Sequence, residues 1–146
     1  MEHLDFLKPR LLGIDYGESR IGLAISDELG MLAHPVETIH CRETHPLDRI
    51  EAVVAEKKVA KIVLGLPLSL NETEGPAAQK VHSFRKRLAA RLPGVPIELV
   101  DERYSTVDAQ KKLRAVGKTT KNTRGVIDQA AAVEILQGYL DSNSAF

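Results

Sequence analysis

The chain alternates between short apolar runs of strand type and longer segments whose apolar residues recur at helical spacing. The tight segment Gly17–Arg20 separates LLGIDYG from RIGLAISD, and this pattern predicts a β-hairpin. AHPVETIHC predicts a third strand, in which Pro35 requires a place at the strand start or on a sheet edge. KIVLGLP and PIELVDER predict two more strands, each reached through a helical segment. We therefore expect an α/β fold with a mixed five-stranded sheet, antiparallel at first and parallel later.

Helices are predicted over PLDRIEAVVAEKK, GPAAQKVHSFRKRLAARLPG and VIDQAAAVEILQGYL, and a further helix carries Ala109 and Leu113 and ends at Gly117. Right-handed crossovers place LLGIDYG next to KIVLGLP, and KIVLGLP next to IELVDER, with helices on both faces of the sheet. KTTKNTR predicts a mobile, exposed loop. A length of 146 residues fits one domain over residues 1–146, of which residues 142–146 are expected to form a disordered tail.

Composition bears on location and partners. Lys and Arg number 20, as do Asp and Glu, so overall charge shows none of the basic excess that often marks a nucleic-acid-binding protein. Cys41 is the single cysteine, and MEHLDFLKPR lacks the apolar segment of a secretion signal. The longest uncharged stretch, around IVLGLPLSLN, is about half of the roughly 20 residues that cross a membrane. We expect a cytoplasmic location and no association with membranes.

Three acidic residues follow strands or open a helix. Asp15 ends the first predicted strand, Glu102 ends the last, and Asp128 lies near the start of the final helix. The carboxyl ends of strands in such a sheet form the usual site, and the final helix can bring Asp128 to the same point. Because clustered carboxylates repel one another, they must be neutralised by cations or by protons. We interpret the three acids as the catalytic, metal-binding residues of a nuclease.

Each acid also has a purely structural interpretation. Asp15 is suited to organising the turn that follows it, and Glu102 to pairing with Arg103 or Arg20. Asp128 is suited to the first turn of a helix, where the helix dipole favours a negative charge. The joint occurrence of the three acids in this order favours the catalytic interpretation.

A basic block lies between Glu102 and Asp128. From Ala109 to Ile127 there are six cations and no Asp or Glu, and these cations are Lys111, Lys112, Arg114, Lys118, Lys121 and Arg124. This block would place phosphate-attracting charge beside the acids, although a solvated helix face and loop would have the same composition. The residues expected to bind nucleic acid are Arg20, Arg103, Lys118, Lys121 and Arg124.

Four segments together resemble one known family. GIDYGESRIGLAISD, VLGLPLSLNETEG, VDERYST and GVIDQAAAVEILQGYL occur in the order found in the YqgF (RuvX) family, bacterial proteins described as Holliday junction resolvases and as precursor 16S ribosomal RNA nucleases. The resemblance implies an RNase H-like fold, a cytoplasmic location and a part in maturing the 5′ end of 16S ribosomal RNA. The acids of the family motifs fall on Asp15, Glu102 and Asp128. LNETEG departs from the more usual MDGTEG-like stretch, so a tight turn at Glu72 is not assured.

Phosphodiester hydrolysis explains why carboxylates are needed. Two Mg²⁺ ions, or Mn²⁺ in their place, held about 3.5 to 4 Å apart can activate water and stabilise both the pentacovalent phosphate and the leaving 3′ oxygen. Hard cations prefer oxygen ligands. In this hypothesis Asp15 bridges both ions, and Glu102 and Asp128 each help to hold one.

Other functions remain open at this point. GIDYGESRIGLA also looks like the phosphate-binding hairpin of actin-like and sugar kinase domains, but such ATPases need two similar halves and this chain has one. A Holliday junction resolvase uses the same metal chemistry on branched DNA and normally needs a symmetric dimer. A non-catalytic ribosomal RNA-binding assembly factor would keep the fold without the reaction. We expect a monomer or weak homodimer that acts on precursor ribosomal RNA, with ribosome assembly intermediates as further partners.

Overall fold

The part of the chain that is described contains five strands and three helices. A computed structural model describes residues 7–68, 74–102 and 121–143, with side chains described from Asp128 onward in the last range. The elements in chain order are β1 Arg10–Asp15, β2 Arg20–Ser26, β3 Ala33–His40, α1 Pro46–Lys57, β4 Val59–Leu66, α2 Pro76–Arg91, β5 Ile97–Asp101 and α3 Lys121–Ser142. The predicted strands and helices of these ranges are confirmed, whereas the predicted helix around Ala109 and Leu113 lies outside the described residues.

The strands form one mixed sheet in the order β3-β2-β1-β4-β5. β1 pairs with β2 and β2 with β3 in antiparallel fashion, while β4 runs parallel to β1 and β5 parallel to β4. This arrangement confirms the predicted fold class and the predicted strand neighbours. Pro35 lies on the edge strand β3, opposite Ala24 and beside a shift in register, where its missing N–H is tolerated.

Strand alternation sorts the side chains onto two faces of the sheet. Leu12 and Ile14 of β1 belong to the core between the sheet and helices α1 and α2. On the opposite face, Gly13 lies against α3, where a Cβ atom on Gly13 would stand 2.7 Å from the Cβ of Leu136. Asp15 has the same parity as Gly13, and it therefore belongs to the α3 face.

Helices cover both faces, as predicted. Buried residues of α1 and α2 complete the larger core cluster, and these are Ile50, Val53, Val54, Ala78, Val81, Phe84 and Leu88. α3 packs across β1, β2, β3 and β4 on the other face and contributes Ala131, Ala132, Ile135, Leu136 and Leu140 to the second cluster. In the described ranges, no helix combines the length and apolar character that a membrane crossing requires.

α3 is longer than the sequence indicates. It begins at Lys121, so the prediction of a loop is wrong for residues 121–124, while residues 118–120 lie outside the described part. Turn-forming residues are a weak prior at a helix start, because packing of the following turns against the sheet outweighs local propensity. At the other end, α3 includes Ser142, where the tail was expected to begin, and the amide of Asn143 donates to the Tyr139 carbonyl at 3.0 Å.

Candidate active site

Three buried carboxylates lie at one end of the sheet. Asp15 is the last residue of β1, Glu102 directly follows β5, and Asp128 lies on α3. Their exposed fractions are 2%, 3% and 0%. β1 and β5 run in the same direction on either side of β4, so their carboxyl ends meet at the same edge. The prediction that Asp15 and Glu102 lie at strand ends on one edge therefore agrees with the observed topology, and the final helix supplies Asp128.

Gly22 brings Asp128 to Asp15. In the antiparallel pairing of β1 and β2, Gly22 is the partner of Asp15. A Cβ atom on Gly22 would overlap the carbonyl group of Asp128 and lie 3.0 Å from the Gln129 amide nitrogen. The backbone of α3 can therefore approach β2 this closely only because residue 22 has no side chain.

Gly65 has the equivalent role for Glu102. Ile14 pairs with Leu64 in the parallel ladder, which places Gly65 beside Asp15. A Cβ atom on Gly65 would overlap Glu102 Oε2 and stand 2.6 Å from Cδ1 of Ile135. The carboxylate of Glu102 thus occupies space on the α3 face that a larger residue at position 65 would fill.

Arg20 contacts one of the three acids. Its Nε donates to Oδ2 of Asp128 at 2.9 Å, across 108 positions of sequence. The Asp128 side chain is 1% exposed and that of Arg20 is 25% exposed, so the pair joins a buried charge to the rim of the site. Arg20 was expected to contact nucleic acid and was considered as a partner of Glu102. Because a guanidinium carries five N–H donors, the bond to Asp128 still leaves Arg20 able to donate to a phosphate.

The structural interpretation of Asp128 as a first-turn residue is wrong. α3 begins at Lys121, so Asp128 is the eighth residue of the helix, and its first turn has no acid. The favourable effect of a helix dipole on an acid fades beyond the first turn. The position of Asp128 is explained by its contacts with Arg20 and Gly22 instead.

An aromatic contact fixes the end of β1. Tyr16, the residue after Asp15, stacks on Phe84 of α2 with ring centroids 4.4 Å apart and an angle of 30° between the planes. Phe84 is itself buried in the larger core cluster. A stacked aromatic pair restrains the backbone at this point, so Asp15 is presented from a rigid strand end.

Four of the five expected nucleic-acid-binding residues cannot be compared with the structure at the level of side chains. Arg103 and Lys118 lie outside the described residues. Lys121 and Arg124 lie in the first four residues of α3, where only the backbone is described. Their roles stay predictions.

Cys41 lies close to Arg20 but is not a nucleophile candidate. Its amide donates to the Ser19 carbonyl at 2.9 Å, which joins the end of β3 to the β1–β2 turn. Burial raises the pKa of the Cys41 thiol above its ordinary value, against an opposing effect of the Arg20 charge. The thiol therefore stays protonated at neutral pH.

The donor set fits a hard divalent cation in its chemistry. All three side chains offer carboxylate oxygens, and burying such charges is costly unless cations compensate them. Among residues 7–68, 74–102 and 121–143, however, no three His, Cys, Asp or Glu side chains stand close enough together to hold one metal ion. Collecting the three carboxylates around one cation therefore requires side-chain movement.

Sequence analysis assigned no packing role to Gly22 or to Gly65. A glycine inside a strand signals a bulge or a close approach of another backbone, and both residues carry this signal. The partner that approaches could not be named from sequence. It is α3 at Gly22, and it is Glu102 together with Ile135 at Gly65.

Sequence comparison with known proteins gives a family match and relatives near 50% identity. The RuvX family model, described as Holliday junction resolvase, matches residues 9–142. A protein of Nocardioides sp. named "Putative pre-16S rRNA nuclease" is 50% identical over 139 residues, which cover 92% of this chain and 88% of that protein. A protein of the same name from Streptomyces coelicolor is 49% identical over 134 residues, covering 91% of this chain and 80% of the relative.

Solved structures share the fold at low sequence identity. RuvC of T. thermophilus, in complex with a Holliday junction substrate, superposes with a TM-score of 0.55 at 16% identity and covers 92% of this chain and 95% of its own. A second structure of Thermus thermophilus RuvC gives a TM-score of 0.51 at 15% identity, covering 91% and 95%. This similarity shows a common RNase H-like fold. The family match over nearly the whole length and the relatives near 50% identity together show that the chain belongs to the RuvX family.

Proposed function

We propose that this protein is a metal-dependent nuclease that hydrolyses phosphodiester bonds of precursor 16S ribosomal RNA during maturation of its 5′ end. One observation carries the proposal: three elements remote in sequence bring Asp15, Glu102 and Asp128 to the same end of the sheet, buried to 97% or more. A stable fold has no need of three buried carboxylates at one edge, because each is costly to desolvate. The names of the relatives near 50% identity support the choice of substrate.

The chain's own residues have distinct tasks in this proposal. Asp15, on a strand end held by the Tyr16–Phe84 stack, would be the central ligand of one or two Mg²⁺ or Mn²⁺ ions, and Glu102 and Asp128 would be the flanking ligands. The bound cations would activate water and stabilise the pentacovalent phosphate and the leaving 3′ oxygen. Glu102 is positioned by its amide, which donates to the Leu66 carbonyl at 3.3 Å. Arg20 would hold Asp128 in place and offer its remaining donors to the phosphate.

The proposal includes the setting of the reaction. A nuclease that acts on precursor ribosomal RNA works in the cytoplasm on ribosome assembly intermediates, and a single catalytic centre suffices for one cut, so a monomer or weak homodimer is adequate. Arg103, Lys118, Lys121 and Arg124 would contact the phosphates that flank the cut. These roles rest on the basic block of the sequence and on its position between two of the acids.

Cleavage by matched variants tests the proposal. The wild-type protein, Asp15→Asn and Asp141→Asn are incubated with precursor 16S ribosomal RNA in Mg²⁺, in Mn²⁺ and in EDTA. Asp141 is an exposed acid near the far end of α3 and receives the same chemical change. We expect metal-dependent cleavage by the wild type and by Asp141→Asn, and a loss of at least about 100-fold in Asp15→Asn, since a residue that would hold the catalytic cation stabilises the transition state by several kcal/mol. Full cleavage by Asp15→Asn would overturn the mechanism.

Resolution of Holliday junctions is the second candidate, because the matching family is described by that activity. A resolvase cuts two strands symmetrically and needs two centres in one assembly. A four-way DNA junction is therefore included as a substrate. The mass of the protein in solution is measured as well, to show whether it is a monomer or a dimer. Cutting of the junction alone, by a dimer, would replace the RNA proposal. Binding of RNA without cleavage in any metal would favour a non-catalytic assembly factor.

A further inference from the structure

A polar cavity lies beside the candidate active site, on the other face of the sheet. Its volume is about 300 Å³, and it is formed between the β1–β2 turn and helix α2. Among the residues that the structure describes, six line it: Tyr16, Glu18, Gln79, Lys80, Ser83 and Arg87. Five of these side chains can donate hydrogen bonds, and two carry a positive charge, so the lining suits an anion with several oxygen acceptors.

The charge of α2 favours the same ligand. The 16 residues of this helix include five cations and no carboxylate, although the whole chain is neutral. Lys80, Ser83 and Arg87 lie on one flank of the helix, and Lys80 and Arg87 are two turns apart, about 10 Å along its axis. Arg87 is exposed, and none of the carboxylates in the described ranges forms an ion pair with it. This flank therefore attracts the phosphates of a polyanion.

The cavity is adjacent to the acids. Tyr16, which lines it, is the neighbour of Asp15 in sequence, and consecutive Cα atoms are about 3.8 Å apart. The ring of Tyr16 turns to the α2 face, where it stacks on Phe84, whereas the Asp15 side chain belongs to the α3 face. A nucleic-acid strand that crosses the carboxyl end of the sheet at Asp15 would continue directly into the cavity.

Glu18 is the acidic residue among the described residues of the cavity lining. It forms an ion pair with Lys80, and this hydrogen bond raises the pKa of the Lys80 ammonium. Both side chains are more than half exposed, and such surface pairs contribute at most about 1 kcal/mol. This weak pairing would let a phosphate take the place of Glu18 at Lys80, and Glu18 would then compete with the ligand.

We infer that this cavity is a phosphate-binding subsite for the RNA strand that flanks the scissile bond. Lys80 and Arg87 supply the charge, Ser83 and Gln79 supply neutral donors, and Glu18 holds Lys80 when no RNA is bound. The inference rests on the proposed function for the identity of the polyanion. It extends the substrate path from the carboxylates onto α2, a helix to which sequence analysis assigned no contact with nucleic acid.

Binding measurements with variants of opposite expected sign test the subsite. Two variants are tested: the double variant Lys80→Gln/Arg87→Gln and the single variant Glu18→Gln. The control is Lys86→Gln, which loses one charge from the same helix outside the cavity lining. Single-stranded RNA is titrated without divalent metal at several salt concentrations. We expect the double variant to bind at least about fivefold more weakly, the effect of losing about 1 kcal/mol. Its slope of log affinity against log salt should fall by about 1.4, or about 0.7 for each lost phosphate contact.

The other variants make the outcome specific. Glu18→Gln should bind RNA up to about fivefold more tightly, since it removes the competing carboxylate, and Lys86→Gln should stay within about twofold of wild type. The inference is overturned if the double variant behaves like Lys86→Gln, or if Glu18→Gln weakens binding. A mononucleotide is also tested as a competitor, at the same concentration of phosphate groups as the RNA. If it displaces the RNA completely, the site binds free nucleotides and the inference is overturned. Unchanged thermal unfolding of the variants confirms that they are folded.

Cleavage assays separate this inference from the proposed function. If the protein cleaves RNA and needs Asp15, the double variant should raise KM more than it lowers kcat. If the double variant binds RNA normally and cleavage depends on Asp15, the proposed subsite is ruled out and the proposed nuclease function stands. If the double variant binds RNA more weakly and no metal supports cleavage, the nuclease function is ruled out and the RNA-binding subsite stands.

Discussion

Gly22 is a residue at which the sheet and α3 meet backbone to backbone. It pairs with Asp15 in the ladder and lies directly under the carbonyl of Asp128, so one missing side chain sets the separation of two of the three acids. The atoms that a new Cβ would meet belong to the backbone of a helix and cannot move by changing a rotamer. The separation of Asp15 and Asp128 is therefore sensitive to the smallest possible substitution at this position.

Gly22→Ala should destabilise the protein by about 1 to 3 kcal/mol, because the added methyl group overpacks the contact between β2 and α3. Gly138→Ala is the matched control, since Gly138 is exposed on the same helix and a Cβ there meets nothing within 4 Å. Alanine at position 138 should stabilise the protein by about 0.5 to 1 kcal/mol through helix propensity. Denaturant unfolding measures both changes. A neutral Gly22→Ala would contradict the close contact described for this position.

Among the elements, α1 and the end of α2 are joined by ion pairs in addition to their shared apolar core. Arg91, in the last turn of α2, forms an ion pair with Asp48 and donates from Nη2 to Oε1 of Glu51 at 2.8 Å. Asp48 lies in the first turn of α1, where the helix dipole also favours it. The two helices are thus joined at the end of α2 remote from its first turn, while Tyr16 and Phe84 join α2 to β1.

The stability provided by this contact should depend on pH. The hydrogen bond from Arg91 lowers the pKa of Asp48 below its ordinary value of 3.8, so the native state favours the ionised carboxyl. The contribution of the Arg91–Asp48 pair to the free energy of unfolding is complete at pH values above the pKa of Asp48 in the unfolded state. It is lost as the pH falls through the lower pKa of Asp48 in the native state. Arg91→Gln should therefore lower the Tm slightly at pH 7, with a difference that shrinks toward zero below pH 3.8 and is smaller in high salt. An equal difference at pH 7 and at low pH would show that Arg91 acts by packing instead.

For the whole molecule, the candidate metal ligands come from positions 15, 102 and 128, which only the folded chain brings to one edge. The unfolded chain offers isolated carboxylates with little affinity for Mg²⁺. A ligand that binds only the native state stabilises it by mass action. Metal binding should therefore be visible as thermal stabilisation, without any measurement of cleavage.

Mg²⁺ at ten times its Kd should stabilise the wild-type protein by about 1.4 kcal/mol, which for a domain of this size raises the Tm by about 3 to 6 °C. Asp15→Asn should lose this response, and Asp141→Asn should keep it. Differential scanning calorimetry in Mg²⁺ and in NaCl of matched ionic strength makes the comparison. A full Mg²⁺ response in Asp15→Asn would show that the ion binds elsewhere.

Much of the fold followed from the sequence alone. Short apolar runs bounded by turn residues, helical spacing and right-handed crossovers were sufficient to predict the neighbouring strands and the helices on both faces, because these patterns follow burial. The start of α3 was predicted incorrectly, since turn-forming residues at Lys121–Arg124 indicated a loop and packing of the following turns extended the helix. The acids could be chosen from their positions at the ends of predicted strands and of the final helix.

The way in which these acids are held depends on contacts between elements that are distant in sequence. The bond between Arg20 and Asp128 spans 108 positions, and the roles of Gly22 and Gly65 depend on which element packs against each of them. The cavity between the β1–β2 turn and α2 likewise depends on the placement of Glu18 beside Lys80. Sequence periodicity determines which face a residue occupies. The contact between two faces depends on the packing of whole elements, and no local pattern encodes it.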